Sequence, residues 1–468
     1  MTDDPDYARF AASRAHQARA HRRIPGGAHT YARGDDQMPE WMPVVVDRGR
    51  GPYVWDLDGN RFIEYGQGLR AVTMGHAEPR VTAAAAEWLG RGAGFSRPSR
   101  VELEAAEAFL GLVGAETVKF CKDGSSATTA AVKLARAVTG RDAVAVCADH
   151  PFLSQDDWFI ATTPMAAGIP RAVRDLTVSF PYGDLAALAE TLDRHRPACV
   201  VMEAVRDETD PTDYLRAAID ACCQRGVVFV LDEMITGFRW SARGAQGLYG
   251  LDPDLSTFGK ALGNGHSVSA LAGRRDLMEA GGLAAPGDRV FLLSSTHGAE
   301  THSLAAAVAA MEIADREDVA AQLMRQGARL RAGVDGAARQ AGVGGAVGTA
   351  GRDSNLVFFT HGPDGEPSQA YRTLFLQELA RRGVLAPSFV ITTAHTDDIV
   401  DETVRAVEGA LAVYARALDA GAAEGFVRGR PVQPVFRSRA GTVWTDRPPP
   451  DEPGPVSAEP AASAPPTP

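Results

Sequence analysis

The chain has 468 residues, of which 45% are apolar and 23% charged, and a formal net charge of −11. That length can bury more than one core, and the composition is that of a globular protein. An acidic balance without a dense basic run excludes a general nucleic-acid binder, though an arginine-lined site for an anionic substrate is compatible with it.

Five cysteines occur, at 121, 147, 199, 222 and 223. They form no Cys-x-x-Cys pair and fall mostly in apolar runs, so buried free thiols are expected rather than disulfides or a metal site. The start, Met1-Thr2-Asp3-Asp4-Pro5, lacks an apolar signal core. No run approaches the roughly 20 apolar residues needed to span a bilayer. A cytoplasmic protein without a membrane partner is expected.

In chain order, residues 7–23 read as a helix that Pro25-Gly26-Gly27 ends. Short strands follow at 44–46, 53–55 and 62–65, with Asp58-Gly59-Asn60 as a turn. A strand at 118–121, a turn at Gly124, a helix at 126–138 and a strand at 144–147 begin an alternation. The apolar runs 198–202 and 227–231, separated from their neighbours by helical stretches at 183–195 and 212–225, fit strands buried on both faces of a parallel sheet. The fold class is α/β: a large domain with a mostly parallel sheet wound by helices. Residues 301–340 read as helical, 356–359 and 384–387 as strands, and 398–419 as a closing helix, giving a smaller α+β C-terminal domain. The expected segments are 1–65, which joins the small domain; 66–300, the large domain; 301–425, the small domain; and 441–468, a Pro/Ala-rich tail too poor in apolar residues to fold.

Among 48 basic residues only Lys119, Lys122, Lys133 and Lys260 are lysines. Arginine stays charged and cannot serve as an amine nucleophile, whereas a desolvated lysine can. Lys260 follows a short apolar run and precedes glycines in Ser256-Thr257-Phe258-Gly259-Lys260-Ala261-Leu262-Gly263-Asn264-Gly265. This suits an imine-forming lysine and equally a surface lysine beside a turn. Asp232 ends the strongest apolar run, where open parallel sheets carry their sites. A buried aspartate there needs a partner, either a protonated pyridine nitrogen or the N–H groups of the next turn. Asp232 and Lys260, 28 residues apart in sequence, together favour the first. Gly124, Ser125 and Ser126 lie where strand passes into helix, a setting for phosphate on backbone amides or for simple capping.

Asp232-Glu233-Met234-Ile235-Thr236-Gly237-Phe238-Arg239 and the Lys260 segment closely resemble the class-III pyridoxal-phosphate aminotransferases, within them the glutamate-1-semialdehyde aminomutase branch. Ile24-Pro25-Gly26-Gly27, residues 55–65 and Ala394-His395-Thr396-Asp397 extend the resemblance over about residues 20–418. It implies a fold-type-I architecture and pyridoxal 5'-phosphate as cofactor. It also implies that Lys260 bonds the cofactor and shuttles protons, and that Asp232 faces the pyridine nitrogen. Met234 packs on one ring face, and Gly124 and Ser125, with Ser126, hold the phosphate. Thr296 reaches the phosphate of the neighbouring subunit's cofactor, so a homodimer with shared active sites is implied. Phe152 is the first choice for the ring-stacking residue and His150 the second, because Asp149-His150-Pro151-Phe152 replaces the usual Tyr before His-Gly. Arg33 aligns with the arginine that holds the aminomutase substrate's carboxylate.

Several stretches depart from that branch. Lys122-Asp123-Gly124-Ser125-Ser126 replaces Asn-Ser-Gly-Thr-Glu, Gly68-Leu69 followed by Arg70 replaces Ser-Trp, and 295–301 replaces Gly-Thr-Leu-Ser-Gly-Asn-Pro. These variants resemble aminomutase-like enzymes of amino-sugar and specialised-metabolite assembly. The expected reaction moves an amino group from an amino-acid donor to a ketone or aldehyde acceptor, a sugar or sugar nucleotide, with Arg33, Arg70, His297 and Glu300 as substrate contacts. The alternatives are intramolecular transfer of the glutamate-1-semialdehyde aminomutase type and a cofactor-binding protein without turnover.

Overall fold

The computed structural model describes residues 8–150, 152–205, 210–285 and 287–436. The expected tail at 441–468 lies outside them. Strands are numbered in chain order: β1 Val46–Arg50, β2 Tyr53–Asp56, β3 Arg61–Glu64, β4 Thr117–Cys121, β5 Val144–Cys147, β6 Thr177–Phe180, β7 Cys199–Glu203, β8 Val228–Asp232, β9 Leu255–Phe258, β10 Ser269–Gly273, β11 Val347–Ala350, β12 Val357–Thr360 and β13 Val384–Leu385.

The continuous apolar runs became the middle of a sheet because only a strand covered on both faces hides such side chains from water. Every residue of β5, β8 and β9 is buried. Among the described residues the sheet has seven strands in the order β4-β10-β9-β8-β7-β5-β6. The strands from β9 to β6 run parallel, and β10 is antiparallel to both neighbours. One face packs Val144, Val146, Val201 and Val230 against Ala131 and Leu134 of the helix Gly124–Thr139. The other packs Ala145, Val200, Phe229 and Leu231 against Leu188, Leu215 and Ala218. The last two belong to the helix Thr212–Cys223.

The N-terminal strands join a second sheet of order β1-β2-β3-β13, in which Ile63 pairs with Val384 across the whole large domain's sequence. The expected single helical stretch at 301–340 is two helices, Thr301–Arg316 and Val319–Gln340. Asp318 separates them with a φ of 45°, and its carboxylate caps the second by accepting the Ala321 N–H at 3.2 Å. The helices Pro79–Leu89 and Arg100–Val113, which pack on Thr301–Arg316, were not foreseen. Their signals are present as Pro79 at the first turn and a Ser99/Glu102 capping box. Four cysteines are buried free thiols, and Cys223 is an exposed one. Among the described residues no helix is long and apolar enough to cross a membrane.

Candidate active site

The carboxyl ends of β7, β8 and β9 bring the site together. Asp232 is the last residue of β8 and only 2% exposed. Its Oδ1 accepts the Met234 N–H at 2.9 Å and the Thr257 hydroxyl at 3.3 Å. Burial pushes its carboxyl up to about 6, against the pull of Lys260 and these two donors. Lys260 follows β9 through Gly259 and sits in the left-handed region with φ 45°. Burial depresses its ammonium below the ordinary lysine range; Asp232 and Glu203 oppose that, while Arg70 and Arg239 add to it. The outcome is an amine readier to lose its proton than a surface lysine.

Met234 is held by two missing β-carbons. A Cβ on Gly124 would meet its Sδ at 2.8 Å, and one on Gly259 would meet it at 2.7 Å. The thioether therefore lies between the first residue of the phosphate-loop helix and the residue before Lys260. The helix Gly124–Thr139 is capped by Asp123, whose Oδ1 accepts the Ser126 N–H at 2.8 Å and whose Oδ2 accepts the Ser126 hydroxyl at 2.9 Å. Ser126 is thus spoken for by the cap. Gly124 and Ser125 present the helix's first N–H groups, and the Ser125 Oγ accepts the Gln155 N–H at 3.0 Å.

Phe152 and His150, the two residues expected to stack on the ring, lie in different surroundings. Phe152 is 45% exposed, with its ring near-parallel to Phe436 at 6.4 Å and edge-on to Phe159. His150 is buried just beyond β5, and its Nδ1 accepts the Glu203 N–H at 3.1 Å. It is His150 that reaches the strand ends. Arg33 is exposed and faces a different cavity, bounded by His16, His21, Asp35, Met38 and Arg430. Thr296 is exposed, and His297 is 71% exposed at its side chain. Glu300 pairs with Lys122 Nζ at 2.5 Å and His297 Nδ1 at 3.1 Å, so among the described residues it is a salt-bridged member of a basic cluster.

Arg70 does join the site. It ends a turn, Gln67–Arg70, in which all four residues have positive φ, from 43° to 71°. Only Gly68 adopts that region without cost. The turn is pinned from below: the Gln67 N–H donates to the Glu64 carboxylate at 2.7 Å, and the Gln67 side-chain amide donates to the Glu64 carbonyl. Arg239, 0% exposed, pins it from above. Its Nη2 donates to the carbonyls of Val72 at 2.9 Å and Arg70 at 3.3 Å, and its Nη1 to those of Ile391 at 3.0 Å and Ser354 at 3.2 Å. The largely buried Arg70 donates from Nε to Asn355 Oδ1 at 3.0 Å. Burial lowers its guanidinium, and the charge of Glu203 opposes that.

Glu203, Arg239, Asn264 and Asn355 were not anticipated. Glu203 ends one apolar run as Asp232 ends another, a signal that was available. Asn264 orders the stretch after the turn by accepting the Thr73 and Met74 N–H groups at 2.9 and 3.0 Å. Glu233, though adjacent to Asp232, is structural: fully buried, it accepts the N–H groups of Ala245 and Gln246 and the Thr236 hydroxyl.

A buried amine and a buried carboxylate thus converge at the strand ends of a doubly wound sheet, beside a helix N-terminus with free donors. This is the arrangement of a fold-type-I pyridoxal-phosphate enzyme. The family model of the class-III aminotransferases matches residues 30–407, and the chain belongs to that family. It is 32% identical over 437 residues, 86% of this chain and 98% of the other, to the glutamate-1-semialdehyde 2,1-aminomutase of Chloroflexus aggregans. The enzyme of that name from Thermus thermophilus is 32% identical over 425 residues, 85% of this chain and 99% of the other. Among solved structures, the Sphingopyxis sp. FumI protein in its internal aldimine form superposes with a TM-score of 0.80 at 26% identity, covering 89% of this chain and 99% of the other. An omega-transaminase from Sphaerobacter thermophilus gives 0.78 at 25%, covering 88% and 100%. The protein is a pyridoxal-phosphate-dependent aminotransferase. Its residues suit that cofactor chemically: Lys260 could meet the aldehyde, Asp232 the ring nitrogen, and Gly124 and Ser125 the phosphate, with a glycine-lined slot that keeps Met234 beside them.

Proposed function

We propose that this enzyme moves an amino group to, or within, a small carbonyl substrate whose anionic group is held by Arg70. The observation that carries the reading is the Arg70 guanidinium. It is largely buried and fixed through Nε by Asn355, and among the described residues its two terminal nitrogens have no protein acceptor. Such a fork suits a carboxylate or phosphate in bidentate contact.

When bound, pyridoxal 5'-phosphate supplies the electron sink for the amino-bearing carbon. The chain supplies the rest. Lys260 takes and returns the proton at that carbon, which its depressed ammonium makes feasible near neutral pH. Asp232 holds the proton at the ring nitrogen. Gly124 and Ser125 bind the phosphate, with Ser126 holding the capping aspartate. Met234 would cover one ring face, and His150, ahead of Phe152, would cover the other. Thr296, exposed in the single chain, completes the phosphate site of a partner, so the working unit is a homodimer.

The relatives support an aminomutase-type transfer within one molecule, on an amino aldehyde bearing a carboxylate. A second reading, a keto sugar or sugar nucleotide aminated by an amino-acid donor, is favoured by one observation: Arg33 faces a separate cavity while Arg70 enters the site. Supplying the purified enzyme with glutamate-1-semialdehyde alone, and with keto-sugar nucleotides plus glutamate, separates them. Formation of 5-aminolevulinate without activity on the sugars sinks the sugar reading; the opposite pattern sinks the aminomutase. If Arg70→Gln leaves KM for the productive substrate unchanged, the anion reading itself fails.

A further inference from the structure

Glu203 is the remaining charged group of the cluster, and the reaction above gives it no task. It ends β7 in direct register with Asp232 at the end of β8, so the two carboxylates project from the same face of neighbouring parallel strands. Asp232 has two donors; among the described residues no side chain donates to the Glu203 carboxylate, although its backbone N–H is used by His150. The charged groups acting on it come from separate elements: Asp232 from β8, Lys260 from the turn after β9, and Arg70 from the left-handed turn. Arg239, which donates to the Arg70 carbonyl, and His150, which accepts the Glu203 N–H, are further ionisable groups around it among the described residues. Glu203 is also the carboxylate whose charge acts on Arg70.

This leaves a charge imbalance once a substrate anion arrives. Before binding, Glu203 answers the Arg70 charge across the cavity. Afterwards Arg70 is neutralised by the substrate and Asp232 is engaged with the ring nitrogen, so the Glu203 carboxylate and the docked anion share the site with one fewer free cation. Two anions cannot share such a site without one taking a proton. We infer that Glu203 is the proton acceptor of the substrate-anion subsite: it binds a proton from solvent when an anion docks on Arg70 and releases it when the anion leaves. One O–H bond forms at Glu203 as one bond to hydrogen breaks on hydronium or the buffer acid, and the reverse happens on release. Burial already pushes the Glu203 carboxyl up to about 7, with Asp232 adding to that and Lys260 and Arg70 opposing it, so the exchange falls in the neutral range. A docked anion raises it further, so affinity weakens as pH rises above that point.

The inference rests on Arg70 as the anion receptor, and the test separates the two. Glutarate, a dicarboxylate without an amino group, is titrated into the cofactor-loaded enzyme by calorimetry in HEPES and in Tris at about pH 7.5, near the shifted carboxyl. Wild type should take up as much as roughly three quarters of a proton per glutarate bound at that pH, and its affinity should fall toward tenfold per pH unit above neutrality. Glu203→Gln, nearly isosteric, should bind with little proton uptake and a flat pH profile, while keeping the visible absorbance of the lysine-bound cofactor. Arg70→Gln should lose glutarate binding. If Arg70→Gln binds like wild type, the receptor assignment falls. If Arg70→Gln loses binding but Glu203→Gln keeps the full proton uptake, the proton belongs to another group and this inference alone is overturned.

Discussion

Replacing Arg239 by methionine separates stability from geometry in this site. Four buried carbonyls lose a charged donor, at 2.9, 3.0, 3.2 and 3.3 Å. A stranded acceptor costs about 1–3 kcal/mol, with the two longer bonds at the low end. Against this, burial, with the Arg70 charge adding to it, lowers the guanidinium from 12.5 to about 9, a burden that methionine does not carry. At roughly 1.4 kcal/mol per pKa unit that burden is about 5 kcal/mol. The two terms nearly cancel, so the variant should fold, with stability within about 3 kcal/mol of wild type. The turn is another matter. Its three non-glycine residues store about 1–2 kcal/mol each in the left-handed region, and Arg239 supplies the bonds that hold Arg70 and Val72. Without them the turn relaxes and Arg70 moves away from Lys260. A displacement near 1 Å costs about a hundredfold in rate. Stopped-flow half-reactions with a panel of amino-acid donors, beside urea melts, should show kcat/KM down by that order in a protein of near-native stability. A correctly folded variant with kcat/KM within about twofold of wild type would refute the argument.

Lys260→Ala and Lys260→Arg should both abolish turnover and the visible absorbance of the lysine-bound cofactor, with arginine no better because it offers no primary amine; borohydride trapping on Lys119, Lys122 or Lys133 contradicts this. Gly124→Ala drives a Cβ to 2.8 Å from Met234 Sδ, so the thioether must shift and cofactor affinity should fall about tenfold, measurable by fluorescence titration. Glu233, whose carboxyl burial raises from 4.5 to about 7, is protonated in the fold at pH values where the unfolded chain is ionised. Its neutral form therefore contributes fully below 4.5, and that contribution is lost as pH rises toward 7. Relative to wild type, Glu233→Gln should gain up to about 3 kcal/mol across this window, and a pH-independent difference in urea midpoints would count against the reading.

The sheet was legible in the sequence because runs such as Val228–Leu231 have no other way to hide from water. Lys260 and Asp232 stood out for chemical reasons, scarcity of amines in one case and a charge ending an apolar run in the other. What sequence spacing does not carry is the encounter of distant segments. Arg239 looks like any arginine after a strand until Ser354, Ile391 and Val72 surround it. Asn355 gains meaning only beside Arg70. Aromatic character favoured Phe152 over His150, but the turn beyond β5 sends the imidazole inward and the phenyl ring outward toward Phe436. The break at Asp318 was hidden because alanine-rich sequence continues across it.

The pairing of β3 with β13 sets a timetable for the molecule. Tyr65 bonds Thr403 across 338 positions, and His395 meets the Glu64 carbonyl across 331. Contacts so remote in sequence form late, because closing the intervening chain is costly until the large sheet has already brought the ends near. The turn at Gln67–Arg70 lies immediately after β3, and its upper pin, Arg239, is shared with Ser354 and Ile391. A nascent chain can complete the cradle of Gly124, Met234 and Lys260 while its C-terminal third is still being made. The pinning of the Arg70 turn must wait for Ser354 and Ile391 to emerge, so the strand-end cradle is expected to form before that turn is fixed.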